Sequence, residues 1–130
     1  MIYLLPFNLI TSQLLDIIVD KLKEKTNMFD YIDVVKYKHR LKTGQLTLWM
    51  TNECAIIGQL INYETGLKAM SLTVVNVTDK PIQDYQSSLK KLEEELKQTG
   101  IDRIILDGRL GWIKRNPDYK LSAIKLIKDI

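Results

Sequence analysis

The chain has 130 residues, 45% of them apolar and 27% charged, which suits one globular domain over residues 1–130 with a single core. No apolar run approaches the roughly 20 residues that cross a bilayer, and residues 1–6 lack a basic stretch and a small-residue cleavage site, so neither membrane attachment nor a signal peptide is expected. A net charge of +3 is too small to argue for nucleic acid, because binding by phosphate neutralisation needs a concentrated basic face.

The first segment, 1–6, reads as a strand stopped by Pro6. An apolar stripe of Leu14, Leu15, Ile17, Ile18 and Leu22 then predicts a helix over 11–25, capped by Thr11 or Ser12. Asn27-Met28-Phe29 connects it to a shorter helix over 30–42, with apolar positions Tyr31, Val34, Val35 and Leu41 and a stop at Thr43-Gly44. A β meander follows. Leu46, Leu48 and Met50 alternate with Thr47, Trp49 and Thr51, and Asn52-Glu53 turns into a strand over 54–63. Gly58 inside that strand marks a bulge or a close backbone approach. Glu64-Thr65-Gly66 makes the second turn, and a strand over 67–77 follows.

The most regular helix comes next. Tyr85, Leu89, Leu92 and Leu96 recur at i, i+4, i+7 and i+11 and share one face, while Lys90, Lys91, Glu93, Glu94, Glu95 and Lys97 fall on the other. Asp79 and Pro81 read as its start and Gly100 as its stop. A strand over 103–107 follows, and a strand–helix–strand unit with so short a return is built as a right-handed parallel crossover. The chain ends with a tight turn, Gly108-Arg109-Leu110-Gly111-Trp112, and a closing strand after Tyr119.

Four signals together resemble one family: Gly44-Gln45-Leu46-Thr47-Leu48-Trp49; Ile57-Gly58-Gln59-Leu60 with Asn62-Tyr63; the helix ending at Gly100 before Ile104-Ile105-Leu106-Asp107; and Gly108-Arg109-Leu110-Gly111-Trp112 with Arg115-Asn116-Pro117-Asp118-Tyr119. The chain resembles the GNAT (Gcn5-related N-acetyltransferase) fold over essentially its whole length, in particular the small GNAT-like proteins of tailed bacteriophages. The resemblance implies an α+β domain in α/β/α layers, with a mixed, mostly antiparallel central sheet of about six or seven strands flanked by helices. It also implies that the two N-terminal helices line an acceptor cleft.

The departure from that family is local. Its acetyltransferases open the long helix with a Gln/Arg-x-x-Gly-x-Gly/Ala loop, whose bare amides meet the coenzyme A pyrophosphate. The matching stretch here, Val75-Asn76-Val77-Thr78-Asp79-Lys80-Pro81-Ile82-Gln83, has no glycine. Pro81 lacks an N–H, and Asp79 places negative charge where a pyrophosphate would sit. The residues describe a helix that caps itself, with Thr78 or Asp79 as N-cap and Asp84 facing the dipole. No cofactor is therefore expected; the alternative is acetyl-CoA held by the backbone of Val75, Val77 and Thr78, with Lys80 as a point charge.

The remaining chemical residues favour structural roles. His39, the single histidine, sits among Lys36, Lys38, Arg40 and Lys42 and reads as a solvated helix face, with no partner at metal-ligand spacing, so no metal site is expected. Cys54 is expected buried in a strand rather than nucleophilic. Tyr119 matches, by resemblance, the tyrosine that protonates the leaving thiolate, but it follows Pro117 instead of lying in a helix, so no catalytic residue is assigned and Tyr119 stands as the alternative. Asp107, Arg109 and Trp112 are read as a structural turn. The basic stretch 36–42 suits an acidic protein partner better than nucleic acid. Phe7, Phe29 and Tyr63 fall on no clean core stripe and are expected as contact anchors.

Two functions follow. The first is a phage-encoded, degenerate acetyltransferase, without catalysis, that serves as a structural or virion-assembly component in the virion or host cytoplasm through contacts with other phage structural proteins. The second is an atypical acyl-CoA-dependent N-acetyltransferase.

Overall fold

Period-2 alternation in the middle of the chain and period-3.6 stripes on either side of it produce a layered arrangement in the computed structural model, which describes residues 2–83, 85–106, 118–120, 122, 126 and 128–130. The elements are β1 (Tyr3–Leu5), α1 (Ser12–Lys25), α2 (Val34–Lys42), β2 (Thr47–Met50), β3 (Cys54–Asn62), β4 (Lys68–Asn76), α3 (Tyr85–Gln98) and β5 (Arg103–Leu106), with 3-10 turns at Phe7–Leu9 and Met28–Asp30. The sheet has strand order β1-β2-β3-β4-β5. The first four strands are antiparallel neighbours, and β5 joins β4 in parallel from Ala69↔Arg103 to Leu72↔Leu106. This is the mixed, mostly antiparallel sheet with flanking helices that the sequence predicts, with five strands among the described residues instead of six or seven. The turn 108–112 and most of the closing strand lie outside the described residues.

Alternation divides the sheet between two cores. Leu48, Met50, Ala55, Ile57 and Val75 face α1 and α2, where Leu15, Ile18, Leu22, Tyr37 and Leu41 meet them. Trp49, Ile56, Met70 and Leu72 face the other way, onto Leu89, Leu92 and Leu96 of α3. The predicted α3 stripe is therefore its buried face, though the Tyr85 side chain lies outside the description. Gly58 is the close approach, with no bulge, since its ladder to β4 is unbroken. A Cβ there would lie 2.6 Å from the Trp49 ring and 2.9 Å from the Met70 sulfur, so the bare backbone is what lets the indole lie across β3.

Local chemistry sets the helix ends. Thr11 caps α1 by accepting the Leu14 N–H at 3.1 Å. The second helix starts at Val34 instead of residue 30, because the Asp33 side chain accepts the Lys36 N–H at 2.9 Å and residues 28–30 form their own turn. Tyr37 and Leu41 form its buried face with Val34 partly buried on the same side, whereas Val35 lies off that face and Tyr31, before the helix, is exposed. At the end of α3, Gly100 at φ +89 allows Ile101 N–H to reach the Leu96 carbonyl and Gly100 N–H the Lys97 carbonyl, a Schellman stop that tucks Ile101 against the core.

Leu92 is fully buried and Leu96 nearly so. Truncating either to alanine should lower unfolding free energy in urea by about 2–5 kcal/mol, and a loss below about 1 kcal/mol at both would mean that α3 does not pack on the sheet through this face.

Candidate functional site

β4 ends at Asn76 and α3 begins at Tyr85, so the predicted helix start near Lys80 is displaced to Tyr85. Side chains in the connection explain the delay. Asn76 Oδ1 accepts the Thr78 N–H at 2.9 Å, and Asn76 Nδ2 donates to the Lys80 carbonyl at 2.6 Å. The Thr78 hydroxyl lies 2.9 Å from Asn76 Oδ1 and 3.1 Å from the Lys80 carbonyl, while its oxygen accepts the Lys80 N–H at 3.3 Å. Such local bonds compete with helix formation, and Pro81 biases Lys80 away from helical torsions. Thr78 and Asp79 therefore sit in a self-bonded turn and not at a helix cap.

A second element grips the same connection. Between β2 and β3, Thr51 Oγ1 accepts the Glu53 and Cys54 amides at 3.1 and 3.0 Å, closing a tight turn that presents Glu53. The Glu53 carbonyl accepts the Val77 N–H at 3.2 Å, and its carboxylate Oε2 accepts the Gln83 N–H at 2.7 Å. Lys21 of α1 pairs with Asp79 at 3.2 Å, a contact weakened by solvent because Asp79 is 98% exposed. The N–H groups of Val77, Thr78, Lys80 and Gln83 are thus bound within the chain, and Pro81 has none. Sequence reading missed Asn76 and Glu53. Asn76-Val77-Thr78 carries a recognisable side-chain turn pattern, whereas nothing local pairs Glu53 with Gln83, 30 residues away.

Of the four residues considered for a cofactor, Val77, Thr78 and Lys80 share this connection. Val75 precedes it on β4, with its side chain buried toward α1 and α2. Tyr119 is elsewhere: it packs on the α3 core and donates its hydroxyl to Glu93 Oε1 at 2.7 Å, about 12 Å along α3 from its first residue. Cys54 is buried at the start of β3, its Sγ 3.3 Å from Thr51 Oγ1. Burial pushes its thiol pKa up, the Thr51 hydrogen bond opposes this, and the Glu53 charge adds to it. Among the described residues no group of three His, Cys, Asp or Glu is placed to hold a metal. Asp107, Arg109 and Trp112 lie outside the described residues.

On the opposite layer, Ser12, Leu15 and Asp16 of α1 and Val35, Lys38, His39 and Lys42 of α2 line an open groove of about 310 Å³. Lys38 and Asp16 bridge it at 2.8 Å, and His39 is solvated, as expected. Phe7 and Tyr63 are exposed. Phe29 is not a free anchor: it is partly buried, edge-on to Tyr37 with ring centroids 5.6 Å apart. No described helix is long and apolar enough to cross a membrane.

These layers, with two helices on one face, one on the other and a parallel crossover at β4–β5, are the GNAT fold of the GCN5-related acetyltransferases. An aminoglycoside acetyltransferase from an uncultured soil metagenomic sample matches with a TM-score of 0.69 at 7% identity, over 100% of this chain and 95% of its own. A GCN5-related N-acetyltransferase from Ralstonia eutropha matches with a TM-score of 0.65 at 13% identity, over 100% and 97%. A predicted acetyltransferase with acetyl-CoA from Clostridium acetobutylicum matches at 0.58 and 16% identity, over 100% and 94%. At these identities the likeness is one of fold. No protein-family model and no curated protein matches the chain in sequence.

Two measurements test the geometry. Replacing Glu53 with alanine should speed hydrogen exchange at the Gln83 amide by about tenfold or more, with Thr78 unchanged; equal rates in both proteins would mean that the carboxylate does not hold this amide. Because the Cys54 pKa is raised, the thiol stays protonated in the native state while the unfolded chain ionises near the usual value of about 8.5. Its contribution to stability is therefore fully present below that pH and falls as pH rises through the folded pKa. Iodoacetamide at mildly alkaline pH should modify native Cys54 at least about tenfold more slowly than the urea-unfolded chain.

Proposed function

We propose that this chain is a phage-encoded protein that uses the GNAT fold without catalysis, as a binding component in virion assembly. The observation that supports it best is the connection into α3, where the amides of Val77, Thr78, Lys80 and Gln83 are already given to Glu53, Asn76 and Thr78. An anion is held at such a place by uncommitted N–H groups converging on it. With those groups bound, no glycine to let a ligand approach, and Asp79 adding negative charge, the residues present do not fit a pyrophosphate, so no cofactor is assigned. The source is part of the proposal and rests on the sequence resemblance to the small GNAT-like proteins of tailed bacteriophages, and the exposed Phe7 and Tyr63 support protein contacts over a substrate pocket.

A second reading is an acyl-CoA-dependent N-acetyltransferase, favoured by the neighbours in fold, one of which was solved with acetyl-CoA. It would place Tyr119 as acid and Val75, Val77, Thr78 and Lys80 along the cofactor. The Tyr119 bond to Glu93 weighs against it, because the phenol already donates its proton to a carboxylate of α3.

Titration with acetyl-CoA followed by thermal unfolding separates the two, since a ligand that binds the native state raises the melting temperature by mass action. The expected result is no rise until concentrations on the order of millimolar, equivalent to about −4 kcal/mol. Micromolar binding, or an acetyl transfer abolished by Tyr119→Phe, would overturn the non-catalytic reading. Replacing Asp79 and Pro81 with glycine should strengthen anion binding, by adding an N–H and removing a charge.

A further inference from the structure

The groove between α1 and α2 is untouched by the contacts around α3. The first turns of α1 lie beside the last turns of α2, as the Lys38–Asp16 pair at 2.8 Å and the shared lining by Ser12 and Lys42 require. The groove is therefore graded along its length. One end carries Ser12, His39 and Lys42, together with the positive end of α1; the other carries Leu15 and the side of Val35. Lys38 is committed to Asp16, whereas Lys36, Arg40 and Lys42 are in no ion pair among the described residues.

Basic residues in the last turn of α2 complement its dipole, which accounts for the charge alone. It does not account for Val35, 74% exposed. Val35 shares the groove with Lys42, and an exposed apolar side chain near an unpaired cation fits a partner that is acidic and apolar at once. Asp16 discriminates among such partners. A phosphodiester strand, charged at every nucleotide, meets its carboxylate inside the groove, whereas a peptide can set a carboxylate at Lys42 and an apolar side chain on Val35.

We infer that the α1–α2 groove docks an acidic, partly apolar peptide segment of a protein partner, an inference that rests on the binding role proposed above and gives that partner its chemistry. The test is an NMR titration of the full chain with three probes: a short peptide alternating Glu and Leu, the same peptide with Gln for Glu, and single-stranded DNA of similar length. The acidic peptide should shift the amides of Ser12, Val35, His39 and Lys42, and the Gln peptide should bind about tenfold more weakly. Lys42→Gln and Val35→Asp, both at exposed positions, should each weaken the acidic peptide about fivefold or more while the amide spectrum of the free protein remains that of the folded chain. Absence of shifts at the groove, equal binding of the Gln peptide, or tighter binding of DNA through the same residues overturns the inference. Such a failure leaves the non-catalytic reading standing, while micromolar acetyl-CoA binding removes that reading whatever the peptides do.

Discussion

Nine consecutive residue pairs, from Cys54↔Asn76 to Asn62↔Lys68, join β3 to β4, and every other contact in the molecule is arranged around that ladder. Successive side chains on a strand point to opposite faces, so an unbroken register sends Ala55, Ile57 and Val75 to one side and Ile56, Leu72 and Val74 to the other. Both faces must then be covered. The amphipathic stripes of α1 and α2 cover one, and the stripe of α3 covers the other. Since β4 is already paired on one edge with β3, the strand returning from α3 takes its other edge, in parallel. A slip of one residue would turn a strand's side chains to the opposite face, and the sets that now fit α1 and α2 on one side and α3 on the other would be mismatched.

The same ladder brings the β2–β3 turn beside the end of β4, because Cys54 pairs with Asn76. That adjacency puts Glu53 within reach of both Val77 and Gln83. A carboxylate from one turn thus takes an amide from another, in a segment where a helix is about to begin and anions are favoured. The Gln83 amide is thereby given to an acceptor within the chain, which is the contact on which the proposed non-catalytic reading leans. Tyr119 and Glu93 make a second such closed pair on α3. The groove on the α1–α2 side differs in kind: among the described residues Lys42 is in no ion pair, and Val35 is open to solvent.

Much of this is legible in the residues, for reasons that differ by element. The α3 face was readable because a helix stripe is a local property: Leu89, Leu92 and Leu96 carry their own periodicity. The Gly100 stop and the Glu64-Thr65-Gly66 turn were readable because positive φ is a demand that glycine alone meets cheaply, and both glycines have it. The start of α2 was misplaced because Asp30 and Asp33 are both competent caps, and only the 3-10 turn at Met28–Asp30 selects the later one. Phe29 reads as unattached because its partner, Tyr37, is eight residues further on, in a different element, and no local pattern couples the two rings.

The beginning of α3 shows the division most sharply. The absence of glycine between residues 75 and 83 is a fact of sequence, and on it the expectation of no cofactor rests. Sequence likewise determined the α+β class, the order of elements and which stripes would be buried, because these follow from periodicity and propensity within a few turns of chain. Tertiary structure decided that Glu53 holds Gln83, that Glu93 holds Tyr119 and that α1 and α2 meet along a charged groove. Each of those contacts joins residues more than 20 positions apart, and no local rule couples them: they exist only once the sheet register has set where the chain segments lie.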